Sequence, residues 1–415
     1  MIGVVGLGIS GLATINWLME RGVAVRAFDT RPAPPILAEL PDEVEVHLGP
    51  LDPLELAQCL YLVVSPGIAK DHPALVKSGL EIIGDVELFA RNCKAPVVAI
   101  TGSNGKSTVT SLVGDMASKA GMRVAVGGNI GVPVLALPVD ARLYVLELSS
   151  FQLETTTSLK PVAATILNLS PDHLDRYRTM AEYGAAKQRI YQGASHCIYN
   201  SDDGATTPPQ GGVSFGSQGL YHLAGGMLMR GEEPLMATAE VRIIGRHNHM
   251  NALAALALGE AAGIPLGAMI KSLKSFRGLP HRCEVVAEKD GVLFVNDSKA
   301  TNLGSLEAAL DGFADIDGNI ILLAGGDAKG ADLSPLAARM GKVSALICFG
   351  QDGDKVAALK AGAHRVETLD EALPLAASLA KPGDLVLLSP ACASLDQFTN
   401  FEARGARFRE LVEAL

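Results

Sequence analysis

Residues 97–108 read Val97-Val98-Ala99-Ile100-Thr101-Gly102-Ser103-Asn104-Gly105-Lys106-Ser107-Thr108. The apolar run Val97–Ile100 predicts a strand, and the glycines after it predict a tight loop. Beyond the loop, Val109, Leu112, Val113, Met116, Ala117 and Ala120 recur at the helical period. Backbone N–H groups at such a helix start stabilise an anion, and the Lys106 ammonium neutralises polyphosphate oxygens. Ser107 or Thr108 offers a hydroxyl to Mg²⁺. The usual phosphate-loop spacing, G-x-x-x-x-G-K-[ST], would need glycine where Ile100 stands; the loop here is G-x-x-G-K-S-T. Strand, loop, lysine, hydroxyls and helix nevertheless agree, so Gly102, Ser103, Asn104, Gly105, Lys106, Ser107 and Thr108 are expected to bind ATP or GTP rather than form a plain turn.

On either side of this stretch, short apolar runs alternate with helical periods: Ile2–Val5, Tyr61–Val64, Tyr144–Leu148, Ala163–Leu169, Val292–Asn296, Ile320–Leu323 and Leu385–Leu388. Uninterrupted apolar strands suit parallel sheets covered on both faces, so the class is α/β, with ligand sites at the carboxyl ends of strands. The chain has 415 residues, long enough for two to four domains. Boundaries are expected near 85 and 278, the second at the hinge-like Gly278-Leu279-Pro280. Apolar residues make up 48% and charged residues 19%, which excludes a disordered chain. The net charge of −10 argues against wrapping a nucleic-acid backbone. The 6 cysteines are scattered without a C-x-x-C pair, against a disulfide framework or structural zinc and in keeping with a reducing compartment. Met1 leads straight into a strand-like run, and no apolar stretch approaches the roughly 18 residues of a membrane span. A cytoplasmic protein is expected.

The first block opens with Gly6-Leu7-Gly8-Ile9-Ser10-Gly11 after the strand Ile2–Val5, and the strand Val23–Phe28 runs into Asp29. This is the Rossmann layout, in which glycines admit a pyrophosphate and an acid meets a ribose. NAD, FAD or another nucleotide stays open at this point, as does a turn with no ligand. Thr30, Arg31 and Ser65-Pro66-Gly67 could contact the same ligand.

Other residues have two local readings. Glu147 sits in an apolar strand, where a buried carboxylate needs a cation and nucleotide-bound Mg²⁺ would serve; the alternative is an edge glutamate reaching solvent. His173, in Asp172-His173-Leu174-Asp175, reads locally as a capping or packed histidine, and Lys187 as a surface lysine. Asn248 and Asn251 share a helix face and could hold a base or ribose, or form a cap and an exposed polar turn.

Taken in order, the motifs Thr101–Thr108, Leu146-Glu147-Leu148-Ser149-Ser150-Phe151-Gln152-Leu153, Asp172–Tyr177, His247-Asn248 with Asn251, and His281-Arg282 resemble the Mur ligases. These are the ATP-dependent amino-acid ligases of peptidoglycan precursor synthesis. The resemblance runs the whole chain. Within the family, Asn296–Asn302 and Ser389–Phe398 look like the D-glutamate-adding branch; the D-N-P-R signature of the diamino-acid-adding branch is absent.

The resemblance implies three domains: a Rossmann-like N-terminal domain (1–84) for a UDP-linked substrate, a central ATP-binding domain (85–278) with a mainly parallel sheet, and a Rossmann-like C-terminal domain (279–415) for the amino acid. It implies that Ile9, Ser10, Asp29, Thr30, Arg31, Ser65, Gly67, Asn129, Ser149 and His173 contact UDP-N-acetylmuramoyl-L-alanine, which replaces NAD in the first block. By the same likeness, Asn248, Asn251, Arg282 and Asp297 contact ATP. Lys299, Thr301, Lys329, Ser394, Leu395 and Phe401 would bind D-glutamate. Ser107 and Glu147 would hold one Mg²⁺, and His173 a second, with Lys187 carried as an anionic carbamate. Lys106, Glu147, His173 and Lys187 would form the catalytic set. A bacterial monomer is expected, with no nucleic-acid partner and no membrane span. A folate-type polyglutamylating ligase would keep the ATP site and change the acceptor. An NAD-dependent oxidoreductase would rest on Gly6–Gly11 and Asp29 and leave Lys106 unexplained.

Overall fold

The computed structural model describes residues 1–172, 176–314 and 316–415. They form two compact units, Met1–Met236 with Asn251–Ser272, and Ala237–Met250 with Leu273–Leu415.

The first unit holds two sheets. One runs in the order Glu45–Leu48, Val25–Asp29, Ile2–Val5, Leu62–Val64, Ile82–Ile83, and all its paired neighbours are parallel. In the other, Val124–Gly128, Leu143–Glu147, Val97–Thr101, Ala163–Ile166, His196–Asn200, Val213–Phe215 and Tyr221–Ala224 are successive parallel neighbours. Met227–Arg230 then turns back antiparallel on Tyr221–Ala224. The central strand Val97–Thr101 is buried at every residue, as its unbroken apolar run demands.

The two sheets share one core. Ile2, Leu7, Ile15 and Leu18 join Phe89, Val134, Leu135, Tyr144 and Leu146 in one apolar cluster. A polar clamp lies beside it. Glu87 is 0% exposed and accepts from the backbone N–H groups of Thr157 (2.7 Å) and Ser158 (2.8 Å) and from the Ser158 hydroxyl (2.6 Å). Burial pushes this carboxyl up, but these bonds and the Arg91 guanidinium outweigh it and hold it at about 2.

The second unit carries the order Glu284–Lys289, Val292–Asn296, Leu385–Leu388, Ile320–Gly325, Val343–Phe349, His364–Arg365. Its first pair is an antiparallel hairpin and the remaining pairs are parallel. Side chains alternate between two cores: Val295, Leu322, Leu346 and Leu387 face one, Phe294, Ile321, Ile347 and Val386 the other. Period-two burial on both faces explains why these strands read as continuous apolar runs.

Candidate functional site

The first glycine turn depends on a close approach. A Cβ on Gly11 would lie 2.1 Å from the Gly6 carbonyl oxygen, so only glycine lets helix Ile9–Met19 start against the strand end. The helix has no side-chain cap, which leaves its first N–H groups for an anion. Asp29 is 2% exposed. Its Oδ2 accepts from Leu7 N–H (2.7 Å) and Arg31 Nη2 (2.7 Å), and its Oδ1 from Arg31 N–H (2.8 Å) and Nε (2.9 Å). Burial raises the carboxyl, but Arg31 and Leu7 prevail and hold it at about 2. Asp29 therefore fixes the loop and aims Arg31, whose guanidinium is the exposed group. Ser65 braces the same turn by donating to Gly6 O at 2.8 Å. Ile9, Thr30 and Gly67 are exposed and Ser10 half-buried, all at the carboxyl ends of three adjacent strands.

The phosphate loop is built on the central sheet. Gly105 precedes helix Lys106–Lys119 at φ 81°, a left-handed conformation suited to glycine. A Cβ there would also meet Asn251 Oδ1 at 2.5 Å, which places Asn251 against the loop. Asn104 N–H donates to Asn168 Oδ1 (2.8 Å), and Ser103 Oγ to Ser170 O (3.0 Å). Lys106 Nζ donates to the loop's own carbonyls at Gly102 (2.8 Å) and Ser103 (2.9 Å). Ser107 and Thr108 are buried at the helix start.

Glu147 ends the neighbouring strand and is 3% exposed. Its Oε1 accepts from Asn129 Nδ2 at 2.7 Å, whereas Oε2 is buried without a hydrogen-bond partner among the described residues. An orphaned carboxylate oxygen beside a phosphate loop fits a divalent cation. Ser149, at the following turn, caps helix Ser150–Glu154 by accepting from Gln152 N–H at 3.2 Å.

Lys187 departs from its local surface reading. It is 2% exposed, and Nζ donates to Gly102 O (3.0 Å) and Thr101 Oγ1 (3.2 Å), 4.8 Å from the Tyr183 ring centroid. Burial and the nearby Lys106 charge drive its pKa well below the ordinary lysine value, partly opposed by Asp172 and Glu147. His173 lies outside the described residues.

In the second unit, three loops leave the carboxyl ends of adjacent strands. Asp297 is 7% exposed; it accepts from Cys283 N–H (3.1 Å) and Ser389 Oγ (2.8 Å), and burial pushes its carboxyl up to about 7. Arg282 stands between two non-glycine residues of positive φ, His281 (63°) and Cys283 (45°). Such strain persists where surrounding bonds enforce it. Lys299 Nζ lies 4.1 Å from the Phe401 ring centroid, Ser394 is 3% exposed and Leu395 63% exposed. Thr301 is half-buried, and Lys329 sits exposed in the glycine turn at φ 50°. A bridge between Asp327 and Ala393 joins that turn to the Ser394 loop. Asn248, on helix Arg246–Ala261, is 5% exposed and donates to Ile244 O at 2.8 Å.

Three family models match: the Mur ligase MurD-like N-terminal domain at 1–84, the Mur ligase middle domain at 100–259, and the Mur ligase glutamate ligase domain at 281–392. The chain belongs to the Mur ligase family. Among Mur ligases, it is 52% identical to a UDP-N-acetylmuramoylalanine–D-glutamate ligase of Escherichia coli (strain K12), over 99% of this chain and 98% of that one. It is 51% identical to the enzyme so named in Salmonella paratyphi A, with the same coverage. The UDP-N-acetylmuramate-alanine ligase of Thermotoga maritima shares the fold, with TM-score 0.61 at 19% identity, covering 100% of this chain and 99% of that one. So does the MurF ligase of the same organism, with TM-score 0.63 at 17% identity, covering 100% and 94%. Membership removes the nicotinamide reading of the first glycine turn. Among the described residues, a buried arginine that the sequence does not bring forward lies in the second unit. Arg404, in the C-terminal helix Phe401–Ala414, is 0% exposed. An arginine among charged helix residues carries no sequence signal of burial.

Proposed function

We infer that this Mur ligase joins D-glutamate to UDP-N-acetylmuramoyl-L-alanine, with ATP consumed and ADP and phosphate released, in peptidoglycan precursor synthesis. The observation that carries this is likeness over 99% of the chain to relatives named for that reaction. Residues 1–84 hold the uridine diphosphate, 85–278 bind ATP, and 279–415 bring the amino acid. No helix among the described residues is long and apolar enough to cross a membrane, and we place the enzyme in the bacterial cytoplasm as a monomer.

The chemistry needs an activated carboxyl, because a carboxylate is a poor acyl donor to an amine. An oxygen of the alanyl carboxylate attacks the γ-phosphorus of ATP, and ADP departs. The D-glutamate nitrogen then attacks the acyl-phosphate carbonyl, a tetrahedral intermediate forms, and phosphate leaves with the bonding pair. The open N–H groups at the start of helix Lys106–Lys119 and the Lys106 ammonium hold the phosphates in line. Ser107 and Glu147 would hold one Mg²⁺, and Lys187, as a carbamate, a second with His173. Bound Mg²⁺ offsets the charge of the phosphoryl oxygens. The buried, depressed Lys187 amine supports that assignment, since only an uncharged amine can take up CO₂. Asn251, Asn248, Arg282 and Asp297 position ATP. The Arg31 guanidinium and the open start of helix Ile9–Met19 take the uridine diphosphate, with Asn129 and Ser149 nearer the reacting end. Lys299, Lys329, Thr301 and Ser394 offer cations and hydroxyls to the two carboxylates of D-glutamate, and Leu395 and Phe401 its apolar contacts.

The test is phosphate release across a panel of amino acids. Release should require ATP, Mg²⁺, the uridine-linked acceptor and D-glutamate together. Equal turnover with L-alanine or L-lysine would overturn the substrate assignment, and failure to bind any uridine nucleotide would favour a folate-type acceptor.

A further inference from the structure

We propose that Arg404 is the positioning residue of the D-glutamate site, a reading that rests on the assignment of that site above. The Arg404 Nε donates to Ser298 Oγ at 3.0 Å, and Nη2 to Ser298 O at 2.9 Å and Cys392 O at 3.1 Å. Nη1 donates to Cys392 O at 3.1 Å and Ala393 O at 3.3 Å, and reaches Gly325 O at 3.5 Å.

These four carbonyls belong to three pieces of the site. Ser298 directly precedes Lys299 and lies three before Thr301. Cys392 and Ala393 directly precede Ser394 and Leu395. Gly325 opens the turn that carries Lys329. Phe401 lies one helical turn before Arg404, and its carbonyl accepts from Ser298 Oγ at 2.8 Å. One planar guanidinium thus ties together the backbones of all the loops that present candidate D-glutamate contacts. Across a trans peptide N–H and C=O point oppositely, so drawing the Ala393 carbonyl onto Arg404 turns the Ser394 N–H away from the guanidinium.

The energetics argue against a purely structural role. Arg404 is 0% exposed, and its partners are hydroxyl and carbonyl oxygens rather than a carboxylate. Burial without a paired anion lowers its pKa to about 10, so the site holds a cation at a cost. An apolar side chain would avoid that cost, but it would leave the Ser298 and Cys392 carbonyls without the guanidinium's N–H groups. What it could not do is fix three separate loops with one rigid fork, and a lysine, with a single point of donation, could not either.

The experiment compares wild type with Arg404→Lys. We expect KM for D-glutamate to rise about tenfold or more, with KM for ATP and for the uridine-linked acceptor within about twofold. Hydroxylamine, added in place of D-glutamate, attacks the acyl phosphate without needing the amino-acid site and expels phosphate. Its rate should stay near wild type in Arg404→Lys. If the variant does not fold, Ser298→Ala removes one hydroxyl partner and should give the same split with smaller amplitude. An unchanged D-glutamate KM, or a hydroxylamine rate that falls in parallel with the D-glutamate rate, would overturn the proposal. Wild type that does not require D-glutamate would instead overturn the substrate assignment. Arg404 would then be judged by the same KM split on the amino acid that wild type does use.

Discussion

Lys187 Nζ donates to the Gly102 carbonyl across 3.0 Å, so a lysine 85 residues away in sequence supports the phosphate loop from beneath. Desolvation and the nearby Lys106 charge hold that amine's pKa well below the ordinary lysine value. Lys187→Ala should lose turnover by on the order of a hundredfold while melting close to wild type. CO₂-free buffer should lower wild-type activity and bicarbonate should restore it. Near-normal turnover in the variant would reduce Lys187 to a packing residue.

Lys106→Ala should abolish most ATP-dependent phosphate release, by about a hundredfold or more, because it removes the charge that meets developing phosphoryl charge. The side chain donates to carbonyls of its own loop, at Gly102 and Ser103. Circular dichroism and melting temperature should therefore stay within a few degrees of wild type, roughly the reach of a surface substitution.

Arg31→Ala should raise KM for the uridine-linked acceptor about tenfold and leave KM for ATP unchanged. Asp29 would keep its bond from Leu7 N–H, so the glycine turn should hold its shape. Steady-state kinetics with each substrate varied in turn separates the two effects.

Asp85 gives a pH signature. Burial pushes its carboxyl up to about 6 from an ordinary 3.8, against opposing bonds from Val86 N–H and Gln152. The unfolded chain releases this proton near 3.8 and the folded chain near 6. Its contribution to stability is therefore complete below the lower value and is lost as pH rises through the higher one. Asp85→Asn should gain on wild type as pH climbs from about 4 to 7, by up to on the order of 3 kcal/mol. Urea melts at several pH values would show this, and a pH-independent difference would refute it.

Glu87→Ala should destabilise without touching catalysis. It strips the partners from two backbone N–H groups, at Thr157 and Ser158, and from Arg91 Nε. A loss of about 3 kcal/mol or more is expected, with kcat per folded molecule unchanged.

What the chain showed in advance, and what it hid, follow from physics. Val97–Thr101 and Ile320–Gly325 announce themselves because burial on both faces leaves no room for polar residues. The Gly105-Lys106-Ser107 loop is equally plain, since its chemistry is local. Glu147 was half legible: a carboxylate in an apolar run signals a buried charge but not its partner. The strand expected at Val23–Phe28 spans Val25–Asp29. Lys187 and Arg404 were hidden from local reading for a common reason. Their burial is imposed by segments distant in sequence, and nothing in their own helices distinguishes them from solvated neighbours.

The Lys106 ammonium resting on its own loop carries one last implication. An arriving triphosphate exchanges the Gly102 and Ser103 carbonyls on Lys106 for its own oxygens. Nucleotide entry is then a local swap of contacts rather than a folding event, so association should run without a slow ordering phase, and its rate should respond more to ionic strength than to denaturant.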